Sequence, residues 1–305
     1  MPRVSAKKIF NRISLNDMKR NLIYFLMVVG MIIPTAINAK VASKANCVIL
    51  APTVNQPHKD LPAKIVDKLA DNGINAVLID ALSLSDMATR QEVSDYITGK
   101  VDSLKKANHL PTGILSFGPA NSVAAMDAAA NGGLAFLGLH SALGTDGKDF
   151  IADKLCEPSY YMVGGKEATD MRKKIRSAIE GVASPNDVDK SLPIANVLND
   201  KNVKRLMTYD VEKAVSSIKC PVVLSYGLYD GVISWNPNLS NLEKCLQKNN
   251  KDYSTLKMPV IDHYLRKAES MLPSFVSVSY SPDYVPQYDL GIVDSLSEAI
   301  LGMIN

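Results

Sequence analysis

The chain is poor in the residues that announce the commonest chemistries. Its 305 residues include four His, four Cys and one Trp, with aromatics at 6%. No Cys-x-x-Cys pair and no His-rich spacing occurs, so no metal site is expected. No Gly-x-Gly-x-x-Gly or Walker pattern follows any apolar run, which removes the usual phosphate cradles and, with them, the expectation of a nucleotide cofactor; no cofactor of any kind is expected. Internal repeats and low-complexity tracts are also missing, which argues against solenoids and disordered arrays. Nor is there a strong charge of one sign. The formal +3 comes from Arg3, Lys7, Lys8, Arg12, Lys19 and Arg20, opposed before residue 40 only by Asp17; from residue 40 onward 28 basic groups face 30 acidic ones. A nucleic-acid partner is therefore not expected.

What is present begins with targeting. The basic segment is followed by the apolar run Leu22 to Ile33, then Pro34, then Ile37-Asn38-Ala39. That order of basic, apolar and cleavable parts predicts a secretory signal peptide over 1–39, cut after Ala39. The alternative is an uncleaved inner-membrane anchor, the only membrane contact expected, since the apolar span approaches the roughly 20 residues a bilayer needs. Either way residues 40–305 are expected outside the cytoplasm, periplasmic or secreted, or anchored and facing the periplasm. In an oxidising compartment Cys47, Cys156, Cys220 and Cys245 are free to pair, and Cys220 with Cys245 is the favoured pair because both fall at one edge of the expected sheet. Buried thiols are the other reading.

Continuous apolar runs alternate with segments of helical period. Strands are expected at Cys47–Leu50, Ile74–Ile79, Ile114–Phe117, Leu134–Leu139, Cys220–Tyr226 and Tyr253–Val260. Helices are expected at Leu61–Asn72, Val93–Leu104, through Ala130, around Leu239–Lys248 and at Ile292–Ile304. Residues 141–217 hold helical pieces, Ala168–Glu180 and Val203–Val215, and no convincing strand, as an inserted cap would. Strands without polar alternation, separated by helices, predict an α/β fold with a mostly parallel, doubly wound sheet. Ligands meet such sheets at the carboxyl ends of the strands, which carry Thr53, Asp80, Ala120, His140, Asp230 and His263.

The stretch Thr112 to Gly133 reads as a buried strand, a sharp turn at Gly118-Pro119 and a helix of small residues ending at Asn131-Gly132. It resembles the nucleophile elbow of α/β hydrolases, where small residues flank the nucleophile because the turn leaves no room for side chains. The resemblance extends over residues 46 to 305. Cys220-Pro221-Val222-Val223-Leu224-Ser225-Tyr226-Gly227-Leu228-Tyr229-Asp230 is similar to the strand whose Gly-x-x-Asp end supplies the triad acid, which implies Asp230. Pro259-Val260-Ile261-Asp262-His263 stands where the family places its histidine. Counted two residues after Gly118, the nucleophile position falls on Ala120, which carries no attacking atom. The resemblance implies an oxyanion hole from the N–H groups of Asn121 and of Thr53 or Val54, although Ala51-Pro52 replaces the usual His-Gly ahead of that loop.

Two functional readings follow. In one, the fold is catalytically degenerate and binds a small-molecule or acyl ligand, or a protein partner, through its cleft or cap. In the other, Ala120-Asn121-Ser122-Val123-Ala124 supplies the frame around the nucleophile, and Ser122, His263 and Asp230 form a serine hydrolase acting on esters, amides or acyl groups. His140, Tyr226, Tyr229 and Trp235, with Tyr160 and Tyr161 of the insertion, are candidate cleft residues. His58 and His109 fall in polar loops and are expected to be solvated. The tail Tyr280–Tyr288, with paired prolines and tyrosines, is expected to be an ordered surface loop.

Overall fold

A computed structural model describes residues 42–52, 58–79, 84–85, 87–161, 166–181, 195–268 and 284–304. The targeting segment therefore lies outside the described residues. Six strands form one sheet: β1 (Ala45–Leu50), β2 (Ile74–Ile79), β3 (Thr112–Phe117), β4 (Leu137–His140), β5 (Val222–Gly227) and β6 (Tyr253–Met258). Every pairing is parallel, and the spatial order is β2-β1-β3-β4-β5-β6. Parallel neighbours need a crossover, and here each crossover is helical: α1 (Leu61–Asp71), α2 (Arg90–Asn108), α3 (Pro119–Ala130), then α4 (Gly147–Tyr161), α5 (Lys166–Glu180), α6 (Ala195–Leu198), α7 (Lys201–Met207) and α8 (Val211–Ser217), and after β5 α9 (Trp235–Lys248). Helix α10 (Gly291–Ile304) closes the chain.

The four inner strands are buried along their whole length, and their side chains alternate between two cores. Ile114, Leu137, Leu139, Val222, Leu224 and Tyr226 join the core under α2, α3, α9 and the inserted helices. Leu115, Phe117 and Val223 join the opposite core, under α1 and α10. This two-sided burial is why the strands read as unbroken apolar runs. Among the described residues between β4 and β5, all regular structure is helical.

Several boundaries moved for identifiable reasons. Helix α2 begins at Arg90 because Thr89 and Glu92 form a capping box, and it ends in a left-handed His109 at φ 57°. The helix expected over 203–215 is two helices, since the Asp210 carboxylate accepts from Lys213 N–H and starts a new one. Strand β6 stops at Met258, and Val260 lies at φ 54°, outside strand geometry. The favoured disulfide is not formed: all four cysteines are free thiols. Cys220 is buried and Cys245 sits half-buried on α9, and burial raises both thiols above their ordinary value.

Strand order reverses between β1 and β3, because the chain runs outward from β1 to β2 and then returns to β3. The crevice beyond the carboxyl ends at such a reversal is where open α/β sheets hold ligands. The end of β3 opens into that crevice.

Candidate functional site

Strand β3 ends at Phe117, and Gly118 makes the turn at φ 89°, ψ 165°. An L side chain rarely takes that backbone, which is why glycine stands there. Pro119 follows as the first residue of α3, a position where its missing N–H breaks no helical bond. Gly118 N–H donates to His140 O (2.9 Å), and Asn121 Nδ2 donates to Ala51 O (2.5 Å) and Phe117 O (3.0 Å), stitching the turn to the ends of β4 and β1. The residue at the apex of the turn, facing His263, is thus Gly118 and not Ala120, on which the nucleophile position falls when counted two residues after Gly118. Ala120 lies within the first turn of α3 and is exposed.

Asp230 and His263 are brought together. Gly227 is what allows it: a Cβ there would lie 2.5 Å from Ile261 O, so only glycine lets the loop after β6 cross the end of β5. Tyr229 N–H then donates to Ile261 O (2.9 Å). The loop is braced by Asp262, whose Oδ1 accepts from the N–H groups of Tyr264 and Arg266 (both 2.9 Å) while Oδ2 accepts from Arg266 Nε (2.8 Å). His263 is held with Nδ1 2.9 Å from Asp230 Oδ2. The same oxygen accepts from Ser141 Oγ (2.7 Å), and Oδ1 accepts from Val232 N–H (2.7 Å) and Ile233 N–H (3.1 Å). Burial opposes the Asp230 charge, but the His263 imidazole and these donors outweigh it and bring the carboxyl down to about 2. For His263 burial likewise opposes the charge, and Asp230, with Asp262 beyond it, outweighs that and moves the imidazole above its ordinary value. Lys154 of α4, paired with Glu157 at 2.9 Å, acts weakly against the charge on His263.

The other face of His263 looks at the turn. A Cβ built on Gly118 would lie 3.6 Å from His263 Cε1 and 3.7 Å from Nε2. Ser122 takes no part in this arrangement. It is fully buried, its Oγ donates to Pro119 O (2.7 Å) and accepts from Leu143 N–H (2.9 Å), so both sides of the hydroxyl are engaged in tying α3 to the loop after β4.

The remaining sequence candidates fall in several places. Thr53 and Val54 lie outside the described residues, and so do the side chains of Tyr160 and Tyr161. Asn121 contributes its side chain to the stitching above. Tyr226 is a core residue, fully buried with its hydroxyl donating to Ala142 O (2.8 Å), rather than a cleft residue; an inward strand position forces that. Trp235 opens α9 under Lys257, whose Nζ lies 5.6 Å from the ring centroid, and Tyr229 is half-buried at the turn that leads to Asp230. His140 is buried with Nδ1 2.8 Å from Ser225 Oγ, and burial brings it down to about 4, so it is neutral at pH 7. His58 is not solvated. It is fully buried, stacked on Tyr264 (centroids 4.3 Å apart) and 3.3 Å from Tyr288 Oη, and burial brings it too to about 4. Tyr288 also donates to Asp60 Oδ1 (2.9 Å), which anchors the end of the tail loop, while Val285 within it is 69% exposed.

Sequence reasoning missed Ser141, a non-glycine residue at φ 53° that follows His140 and bonds the acid. It also placed the nucleophile position two residues past the residue that faces His263.

A parallel sheet in this order, with a strand-turn-helix at its reversal, an acid after β5 and a histidine after β6 in contact with both, decides the architecture. The fold is of the α/β-hydrolase type. No family model matches the chain, and no curated protein matches it. Solved structures similar to it include Est1E from Butyrivibrio proteoclasticus, at 14% identity and a TM-score of 0.49, with 86% of this chain and 89% of that one covered. A structure described as a lipase in open form has 13% identity and a TM-score of 0.48 over 87% and 91%. The esterase EaEST from Exiguobacterium antarcticum has 13% identity and a TM-score of 0.42 over 73% and 86%. Likeness at this level assigns no residue a role, so the functional argument rests on the site itself.

Proposed function

We propose that this is a catalytically degenerate protein of α/β-hydrolase fold, exported from the cytoplasm, which binds a ligand or a protein partner at its cleft or cap instead of turning over an ester. The observation that carries this reading is that His263, held by Asp230 as a base would be, faces a glycine. A triad needs an oxygen or sulfur at that point for the imidazole to deprotonate. A second loss accompanies the first. The residue after the turn, which would donate its backbone N–H to a developing oxyanion, is Pro119, and proline has none to donate.

The retained Asp230–His263 pair favours one rival, a serine hydrolase acting through Ser122. Against it stands the engagement of both sides of the Ser122 hydroxyl away from His263. Export rests on the basic and apolar order of residues 1–39. The test is exposure of the full chain to a fluorophosphonate probe, alongside Ser122→Ala. No labelling of either is expected, and Ser122→Ala should cost about 1–3 kcal/mol of stability, because it strands the buried Leu143 N–H. Labelling of the wild type that vanishes in Ser122→Ala would establish the hydrolase instead.

A further inference from the structure

His263 Nε2 is the ring nitrogen that the bond to Asp230 leaves over. The side chain is 10% exposed, and among the described residues nothing bonds Nε2. It points at Gly118, 3.7 Å from where a Cβ would stand, so the partner that a serine side chain would supply is absent, and among the described residues nothing else comes within 4 Å of that point. Helix α3 begins at the same point. Its Ser122 N–H closes onto Gly118 O (3.0 Å), Pro119 has no N–H, and the N–H groups of Ala120 and Asn121 find no acceptor among the described residues. Unmet N–H groups at a helix start, with the positive end of its dipole, favour an anion.

The acids around the imidazole do not fill that role. Asp230 accepts from His263, Ser141 and two backbone N–H groups, and Asp262 is held by Arg266. On the insertion side Lys154 is paired with Glu157. With Nδ1 on Asp230, Nε2 accepts in the neutral ring and donates in the imidazolium, and a carboxylate beside it favours the imidazolium, in which both ring nitrogens donate.

We propose that the space over Gly118 is a carboxylate-binding site, in which one ligand oxygen accepts from His263 Nε2–H and the carboxylate rests against the first turn of α3. The assignment builds on the degenerate reading, since a serine at the turn would occupy the same space. A carboxylate suits the donors better than a phosphate. Three N–H groups serve two oxygens, whereas a dianion with three oxygens would need the donor that Pro119 lacks and a stronger positive field than the paired Lys154 leaves.

Calorimetric titration of the full chain with hexanoate, hexanamide and inorganic phosphate tests this, with the His263 ring signals followed by NMR. Hexanoate is expected to bind at least about tenfold more tightly than hexanamide, the equivalent of one charge-assisted hydrogen bond, and to shift the His263 ring signals to saturation. Gly118→Ala, whose methyl fills the space, and His263→Gln should each lose about tenfold or more. Equal binding of hexanoate and hexanamide, a His263 ring untouched by hexanoate, undiminished binding in Gly118→Ala, or tighter binding of phosphate would each overturn the proposal. A chain that neither binds hexanoate nor reacts with fluorophosphonate refutes the carboxylate site alone. One that reacts refutes the degenerate reading, and the site with it.

Discussion

If Gly118 stands where a nucleophile would, returning a hydroxyl there should return reactivity, and Gly118→Ser is the perturbation that asks. Among the described residues the added Cβ meets only the His263 ring, at 3.6 and 3.7 Å, which is ordinary van der Waals contact, so no steric clash with them is expected. The cost is the backbone. At φ 89° an L residue loses about 1–2 kcal/mol relative to glycine. For a domain of this size that corresponds to a fall in Tm of about 2–8 °C. In exchange Oγ comes within hydrogen-bond reach of Nε2, which is already oriented by Asp230. On reaction with a fluorophosphonate, Oγ attacks phosphorus, fluoride leaves, and the hydroxyl proton passes to His263 Nε2. The variant is expected to label where the wild type does not, and Gly118→Ser combined with His263→Ala to lose the label. Ester turnover should stay poor, because an absent oxyanion donor costs about 10²–10³ in kcat. Adding Pro119→Gly should recover a large part of that factor. The assay is in-gel fluorescence beside thermal melts, so that an unfolded variant is recognised as such. A folded Gly118→Ser that takes up no label refutes the placement of the catalytic register at Gly118.

Other expectations follow from the same geometry. His58 and His140 are each brought from 6.5 to about 4 by burial, so the unfolded chain takes up protons that the folded one refuses as pH falls from about 6.5 to 4. Stability should drop over that window by about 3 kcal/mol per histidine, partly offset by His263, whose raised value favours the folded state at low pH and is lost as pH rises through it; urea melts that are unchanged between pH 7 and 4.5 would contradict this. Asp230→Asn removes the charge that raises His263, so the imidazole, followed by NMR titration, should fall below its ordinary value; an unchanged titration would mean that Asp230 does not set it. Gly227→Ala would put a methyl 2.5 Å from Ile261 O and must push the loop off β5, at a cost of about 1–3 kcal/mol. Its His263 resonances should lose the signature of the Asp230 bond, and retention of that signature at wild-type stability would show that the loop does not depend on this close approach.

The fold was legible because its signal is local and repeated. Each inner strand is an apolar run covered on both faces, and the helices between them keep the helical period, with a capping box opening α2 and Gly118-Pro119 opening α3. Asp230 and His263 were legible for a related reason: a residue just past the carboxyl end of a parallel strand has few places to point. Ser141 was not, since its role depends on a left-handed backbone and on Asp230, 89 residues away. His58 was misread because what buries it, Tyr264 and Tyr288, comes from more than 200 residues downstream. The nucleophile position is the instructive error. Searching for a small residue two places before the nucleophile makes Gly118 the first member of the frame and puts Ala120 at its centre. Yet Ser116-Phe117-Gly118-Pro119-Ala120 satisfies the same alternation one frame earlier, and the chain marks which frame is in use. Proline is over-represented at the first position of a helix. Pro119 therefore marks the start of α3, which leaves Gly118 at the turn, and the histidine arriving from beyond β6 meets a residue with no side chain.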